Sequence, residues 1–177
     1  AAREIAADAI AASFYYSFGL PVAIIRPFNT YGPRQSDRAI IPTIISQALT
    51  KDEVVIGNTK PTRDFTFVSD TVEGFVRIAE SEKSIGEEIN LGSGHEVSIG
   101  QLANQIVSII GRKVRIRQAR ERVRPAKSEV ERLLSDNAKA KQLVGWEPKV
   151  ELREGLALTI EWIKNHLLRY DPAKYRI

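Results

Sequence analysis

The sequence contains no cysteine. Disulfides, thiol nucleophiles and cysteine-ligated zinc or iron–sulfur sites are therefore excluded. Histidine is scarce: His95 and His166 are the only two, and they lie far apart. Neither has a nucleophile or carboxylate partner that the sequence points to, so no metal site is expected and both read as surface or core residues. No apolar run approaches the roughly 20 residues needed to span a bilayer, and no signal peptide is visible. A cytoplasmic setting is the expectation. Methionine is absent too, so no initiator is present. The opening "AAREIAADAIAASFYYSF" already reads as mid-helix, which suggests a fragment or a processed chain.

What is present is ordinary for a soluble globular protein. The 177 residues are 43% hydrophobic and 27% charged, enough for one domain or one domain plus a piece of another. The formal charge of +4 fits an anionic small molecule as well as nucleic acid.

Helical and strand periods alternate along the chain, which argues an α/β class. Residues 1–18 read as an alanine-rich helix that should be buried on most sides, ended by Gly19. "VAIIR" (22–26) reads as a buried strand. A helix with Ile40, Ile41, Ile44, Ile45 and Ala48 in register follows, with Ser36 or Asp37 as its expected cap. Strands are expected at 53–57, 63–68, 87–94 and 113–117. Ser69 is the expected cap of a helix running to about residue 81. Ser98 and Gln101 form a capping box that opens another helix, which Gly111 ends. Ser135 or Asp136 should cap a short helix to Val144, and a last helix should cover 152–168.

Three stretches carry the chemistry. "RPFNTYGPRQ" (26–35) follows a buried strand, where open α/β sheets bind ligands. Its prolines and Gly32 fix its shape. Asn29 offers donor and acceptor groups, unless it merely caps its own turn. In "PTRDFTFVSD" (61–70), Arg63 presents a planar guanidinium suited to phosphate, or else a surface cation paired with Asp64 or Asp70. "RKVRIRQARERVRPAK" (112–127) is the densest basic run. Nucleic-acid binding is one reading of it. Against that, Arg115 and Arg117 alternate with Val114 and Ile116 as on a solvated strand face, and no aromatics are interleaved for base stacking. Arg122 and Arg124 lie beyond that strand, next to Pro125, where a loop can aim one of them inward.

Five ordered segments together carry a resemblance. They are "GLPVAIIRPFNTYGPRQSDRAIIPTII", "PTRDFTFVSDTVEGF", "GEEINLGSG", "RVRPAKSEVERLLSDNAKAKQLVGWEPK" and "LREGLALTIEWIK". The chain resembles the C-terminal half of an extended short-chain dehydrogenase/reductase of the NAD-dependent nucleotide-sugar epimerase and 4,6-dehydratase family. The subgroup it looks most like is the UDP-N-acetylglucosamine 4,6-dehydratase-like enzymes.

That resemblance implies the C-terminal part of a Rossmann-like parallel sheet plus a small α/β substrate-binding subdomain. Residues 1–35 and 63–95 would belong to the first, and 36–62 and 96–177 to the second. It implies that Asn29, Arg63 and Arg124 hold the diphosphate of a nucleotide sugar. Ile40, Ile41 and Ile56 would line the nucleotide, Asn90 would lie near it, and Pro27 would face the cofactor. The family's cofactor is NAD, but the glycine-rich turn that binds it is absent from these residues. The family's catalytic Tyr-x-x-x-Lys would end where the chain begins, with Glu4 at the lysine position. The expectation is a chain that binds a nucleotide-diphosphate sugar, has no catalytic residue of its own and holds no NAD alone. Residues 1–26 would mediate self-association. A non-catalytic self-associating module and a nucleic-acid binder are the alternatives.

Overall fold

The computed structural model describes residues 2–119 and 130–170. Helix α1 (Ala2–Phe18) leads into strand β1 (Ile24–Pro27) and, after Phe28 alone, into β2 (Asn29–Tyr31). Next come α2 (Ile40–Thr50), β3 (Glu53–Ile56), β4 (Thr62–Phe67), α3 (Val68–Ala79), β5 (Glu88–Leu91) and β6 (Glu96–Ser98). The remainder is α4 (Ile99–Ile110), β7 (Arg115–Gln118), β8 (Arg132–Leu133), α5 (Ala138–Val144) and α6 (Leu152–Lys164). Pairing is mostly parallel, as an α/β chain requires: β1 with β5, β2 with β4, β3 with β7, and β8 with β4. Strand β6 joins β4 antiparallel.

Two hydrophobic clusters hold these elements. The larger one buries Ile41, Ile44 and Ile45 of α2 against Leu102 and Ile106 of α4 and Leu156 and Ile160 of α6. Tyr31, Phe65 and Phe67 close it from the β2–β4 side, their rings meeting edge-on. The smaller cluster packs Ile78, Ala140 and Trp146 onto Ile89 and Leu91 of β5. Gly74 permits this packing, because a Cβ there would stand 2.6 Å from Leu91 Cδ1.

Local signals set several boundaries. The Ser98–Gln101 capping box forms, with Gln101 N–H donating to Ser98 Oγ at 3.1 Å and Ser98 N–H to Gln101 Oε1 at 3.0 Å. Gly111 ends α4 at φ +72°. Other expectations need correction. The N-cap of α2 is Ala39, not Ser36 or Asp37; Ser36 Oγ instead accepts from Arg38 N–H, closing a turn ahead of the helix. Helix α3 starts directly from β4, with Phe67 rather than Ser69 at its N-cap. Asp136 does act ahead of α5, accepting from Ala138 N–H at 3.0 Å, although the N-cap residue is Asn137.

The largest difference concerns α1, expected to be buried on most sides. Tyr16 and Phe18 are 79% and 75% exposed, and Ile5 and Ile10 also face outward. The helix touches the rest of the described chain through few groups: Tyr15 against Gly86, and Asp8 in an ion pair with Arg26 at 2.7 Å. Its apolar residues are spread around the axis, so packing on one side leaves the others in water.

Two buried aspartates tie distant segments together. Asp64 on β4 is inaccessible to solvent. Its carboxylate accepts from Ser93 N–H (2.7 Å), Ser93 Oγ (2.6 Å), Gly94 N–H (2.9 Å) and Ser135 N–H (3.2 Å). Asp70 in the first turn of α3 accepts from Lys149 N–H and Val150 N–H at 3.1 and 2.9 Å, and its carbonyl accepts from Trp146 Nε1–H at 2.8 Å. A buried charge is tolerable only with this density of donors. On the surface, Glu96 joins Arg132 of β8 and Thr62 of β4, and the hydrogen bonds from Arg132 and then Thr62 hold its carboxyl below the usual glutamate range.

Two predictions follow from these ties. Asp64→Ala strands four donors inside the protein and should cost at least about 3 kcal/mol, whereas Gly92→Ala, which drives a methyl into Ser135, should cost about 1–3 kcal/mol; urea unfolding measures both. Glu96 has a lower pKa folded than unfolded, so its tie stabilises above the ordinary glutamate pKa of about 4.3 and is lost as pH falls through the folded value. Glu96→Gln should flatten that part of the stability–pH curve, read from thermal midpoints between neutral and acid pH.

Candidate functional site: the junction of two parallel strand pairs

The stretch "RPFNTYGPRQ" is not the loop its prolines and glycine suggest. Arg26 and Pro27 finish β1 opposite Asn90 and Leu91 of β5. Phe28 N–H then donates to Leu91 O at 2.8 Å, and Asn29 is already opposite Phe65 of β4. The chain therefore passes from one parallel pair to another across a single residue. Only Gly32 (φ +151°), Pro33, Arg34 and Gln35 turn away from the strands, and Arg34 adopts a left-handed φ of +70°. Pro27, Phe28 and Asn29 line an open pocket of about 240 Å³ together with Leu133 of β8. Leu133 gave no sequence signal, because a strand of two residues has no readable period.

Asn29 is locked in place. Its Nδ2–H donates to Asp64 O at 2.9 Å, across to β4 rather than to its own turn. Its Oδ1 has no hydrogen-bond partner among the described residues. Strand residues two apart share a face, and residues paired in register share it too. Arg63, two before Phe65 on β4, thus lies on the same face as Asn29 and Leu133. Arg63 is half-buried, and its Nη1–H donates to Thr62 O at 2.7 Å. The Asp64 carboxylate turns instead to Ser93, Gly94 and Ser135.

The other candidate residues fall in different places. Asn90 sits on β5 beside Arg26, its Nδ2–H donating to Asp136 O at 3.3 Å. Ile40 is half-buried at the start of α2. Ile41 and Ile56 are 0% and 1% exposed and belong to the larger core. Arg124, with Arg122, lies outside the described residues. Glu4 falls near the start of α1, and its side chain lies outside the described part. Of the basic run, Arg115 and Arg117 form an exposed face of β7, with Arg117 paired to Glu53 at 2.9 Å and Arg112 to Asp52 at 3.3 Å. His95 Nδ1 lies 3.0 Å from Ser93 O, and His166 stacks on Trp162 at 4.2 Å. Among the described residues no group of three or more His, Cys, Asp or Glu is placed to hold a metal ion, and no helix is long and apolar enough to cross a membrane.

A dinucleotide's pyrophosphate is held by a glycine-rich turn between a strand and a helix N-terminus. Strand β1 runs into another strand, and β4 runs into α3 without a glycine. Neither of these two junctions offers such a turn.

Comparisons with known proteins agree with this architecture. Residues 1–159 match the family model described as GDP-mannose 4,6 dehydratase. The chain is 36% identical over 159 residues to UDP-glucuronic acid decarboxylase 4 of Arabidopsis thaliana, a match covering 88% of this chain and 34% of that protein. Among solved structures, Pal from Bacillus thuringiensis superposes with a TM-score of 0.84 at 39% identity, covering 92% of this chain and 51% of that one. The UDP-glucuronic acid 4-epimerase of Bacillus cereus, solved with UDP-glucuronic acid and NAD, gives the same TM-score at 29% identity and 51% of its length. The chain spans about half the length of these solved relatives and a third of the plant decarboxylase. These relatives include nucleotide-sugar enzymes and share the fold of this chain, and the family model covers most of its residues: the chain belongs to the GDP-mannose 4,6-dehydratase family of NAD-dependent epimerases and dehydratases.

Proposed function

We propose that this chain supplies the nucleotide-diphosphate-sugar-binding face of an NAD-dependent 4,6-dehydratase or epimerase and performs no catalysis alone. The observation that carries the reading is the placement of Asn29 and Arg63 on one face of adjoining strands, beside the open pocket at Pro27. An amide and a guanidinium on one face suit a diphosphate, because charge-assisted hydrogen bonds to phosphate are strong and directional. Arg124 completes the grip as the second cation, and Asn90 approaches the nucleotide. Ile40 touches the nucleotide directly, while Ile41 and Ile56 support that contact from the core. Pro27 meets the nicotinamide in an assembled enzyme. Glu4, in place of a lysine, removes the cation that would lower a catalytic tyrosine's pKa. The setting is cytoplasmic.

A second reading, self-association through residues 1–26, is favoured by the exposed apolar residues of α1 and by β1, which pairs only with β5 among the described residues. An unpaired strand edge is a template for another chain. Binding of nucleic acid by residues 112–127 has less support, because Arg112 and Arg117 already meet carboxylates.

Calorimetric titration of the purified chain with UDP-glucuronic acid should show saturable binding. Arg63→Ala should weaken it roughly tenfold or more, as expected for losing a hydrogen bond between charged groups. Salt-sensitive binding of RNA without any UDP-sugar binding would favour the nucleic-acid reading instead. No NAD-dependent turnover of the sugar is expected, and turnover by this chain would refute the non-catalytic part. Sedimentation equilibrium should report a mass above that of the monomer, and Tyr16→Glu with Phe18→Glu should return it to monomer.

A further inference from the structure

A second cleft lies on the other edge of β4, away from Asn29 and Leu133. Strand β8 and strand β6 both pair with Thr62 and Arg63, so they flank β4 on opposite sides. The cleft, of about 370 Å³, opens beside β6, between α4 and the segment leading into α6. Its volume lies within the range of small-molecule sites. The floor is apolar: Phe65 and Val97 from the strands, Val150 and Leu152 from the segment opposite.

The polar groups around this floor differ in whether they are engaged. Glu96 is held by Arg132 and Thr62, and the Lys149 ammonium by Glu73 at 2.8 Å. Ser93 Oγ is bonded to Asp64. Four groups have unused capacity among the described residues. The Gln105 side chain has no hydrogen-bond partner, and Gln101, one turn earlier on α4, uses only its Oε1. The His95 ring is tied at Nδ1 to the Ser93 carbonyl, which in the neutral ring leaves Nε2 as an acceptor. The Glu151 carboxylate has no partner among the described residues.

This set is selective. A glutamine amide presents an adjacent donor and acceptor, which match the N6–H and N7 edge of adenine in a bidentate pair. A carboxylate accepts from the vicinal hydroxyls of a ribose. Among the described residues lining the cleft, the one charge without an ion pair is the Glu151 carboxylate, while Lys149 and the nearby Arg132 are each already paired with a carboxylate, so the cleft disfavours a phosphate. We propose that this cleft is a second ligand site that takes an uncharged purine nucleoside, with the base edge on Gln105 and the ribose hydroxyls on Glu151. It shares no lining residue with the pocket at Pro27 and does not depend on the diphosphate reading.

The test is a titration of the full chain with adenosine, adenosine 5′-monophosphate and UDP, followed by heteronuclear NMR. Adenosine at concentrations up to about 5 mM, where even weak sites bind measurably, should shift Gln101, Gln105 and Val97 resonances saturably. The monophosphate should bind no better than adenosine. Gln105→Ala, on a solvent-facing side of α4, should weaken adenosine roughly tenfold, the scale of one bidentate base pair, and Arg63→Ala should leave it unchanged. A loss of UDP binding with adenosine binding intact would refute the diphosphate reading alone. No saturable shift, tighter binding of the monophosphate, or an unchanged Gln105→Ala titration would overturn the nucleoside site.

Discussion

The carboxylate of Asp64 has no contact with water, and the charge it carries must be answered from inside the protein. Four donors do so, from the turn after β5 and from the segment ahead of α5. Those segments are fixed by that requirement. Gly92 must lack a side chain so that Ser135 can approach, and Asn137 adds a bond from its side chain to the Gly92 carbonyl at 2.8 Å. The same residue serves the candidate site through its backbone, because its carbonyl anchors the amide of Asn29. Core order and site geometry therefore share one residue of β4.

Asp70 extends this logic one helical turn further. Its carboxylate receives the backbone of Lys149 and Val150, and its carbonyl receives the Trp146 indole. The C-terminal third of the described chain is thus fastened to the start of α3. The surface ion pairs around it, such as Arg77 and Lys149 with Glu73, lie in water and contribute little by comparison.

The opposite extreme is the start of the chain. A parallel pair is ordinarily covered on both faces and extended by further strands. Here β1 has one partner among the described residues, and α1 keeps Tyr16 and Phe18 largely in solvent. Exposed apolar side chains of α1 and the open side of β1 thus lie close together in sequence.

Local chemistry made much of the fold legible. The capping box at Ser98, the glycine ends of α1 and α4, and the isoleucine register of α2 depend on neighbours within a few residues, so they read directly from sequence. Strands β2 and β8 did not, because each is too short to show a period and exists only by pairing with β4. The role of Asp64 was equally hidden: beside Arg63 it suggested a surface ion pair, and only the approach of residues 93, 94 and 135 makes it a buried acceptor. The sequence by itself determined the α/β class, most helix positions and the candidacy of Asn29 and Arg63. The tertiary structure decided that these two share a face, that Ile41 and Ile56 belong to the core, and that α1 is exposed. Such properties come from contacts between residues far apart in the chain, and no local pattern encodes them.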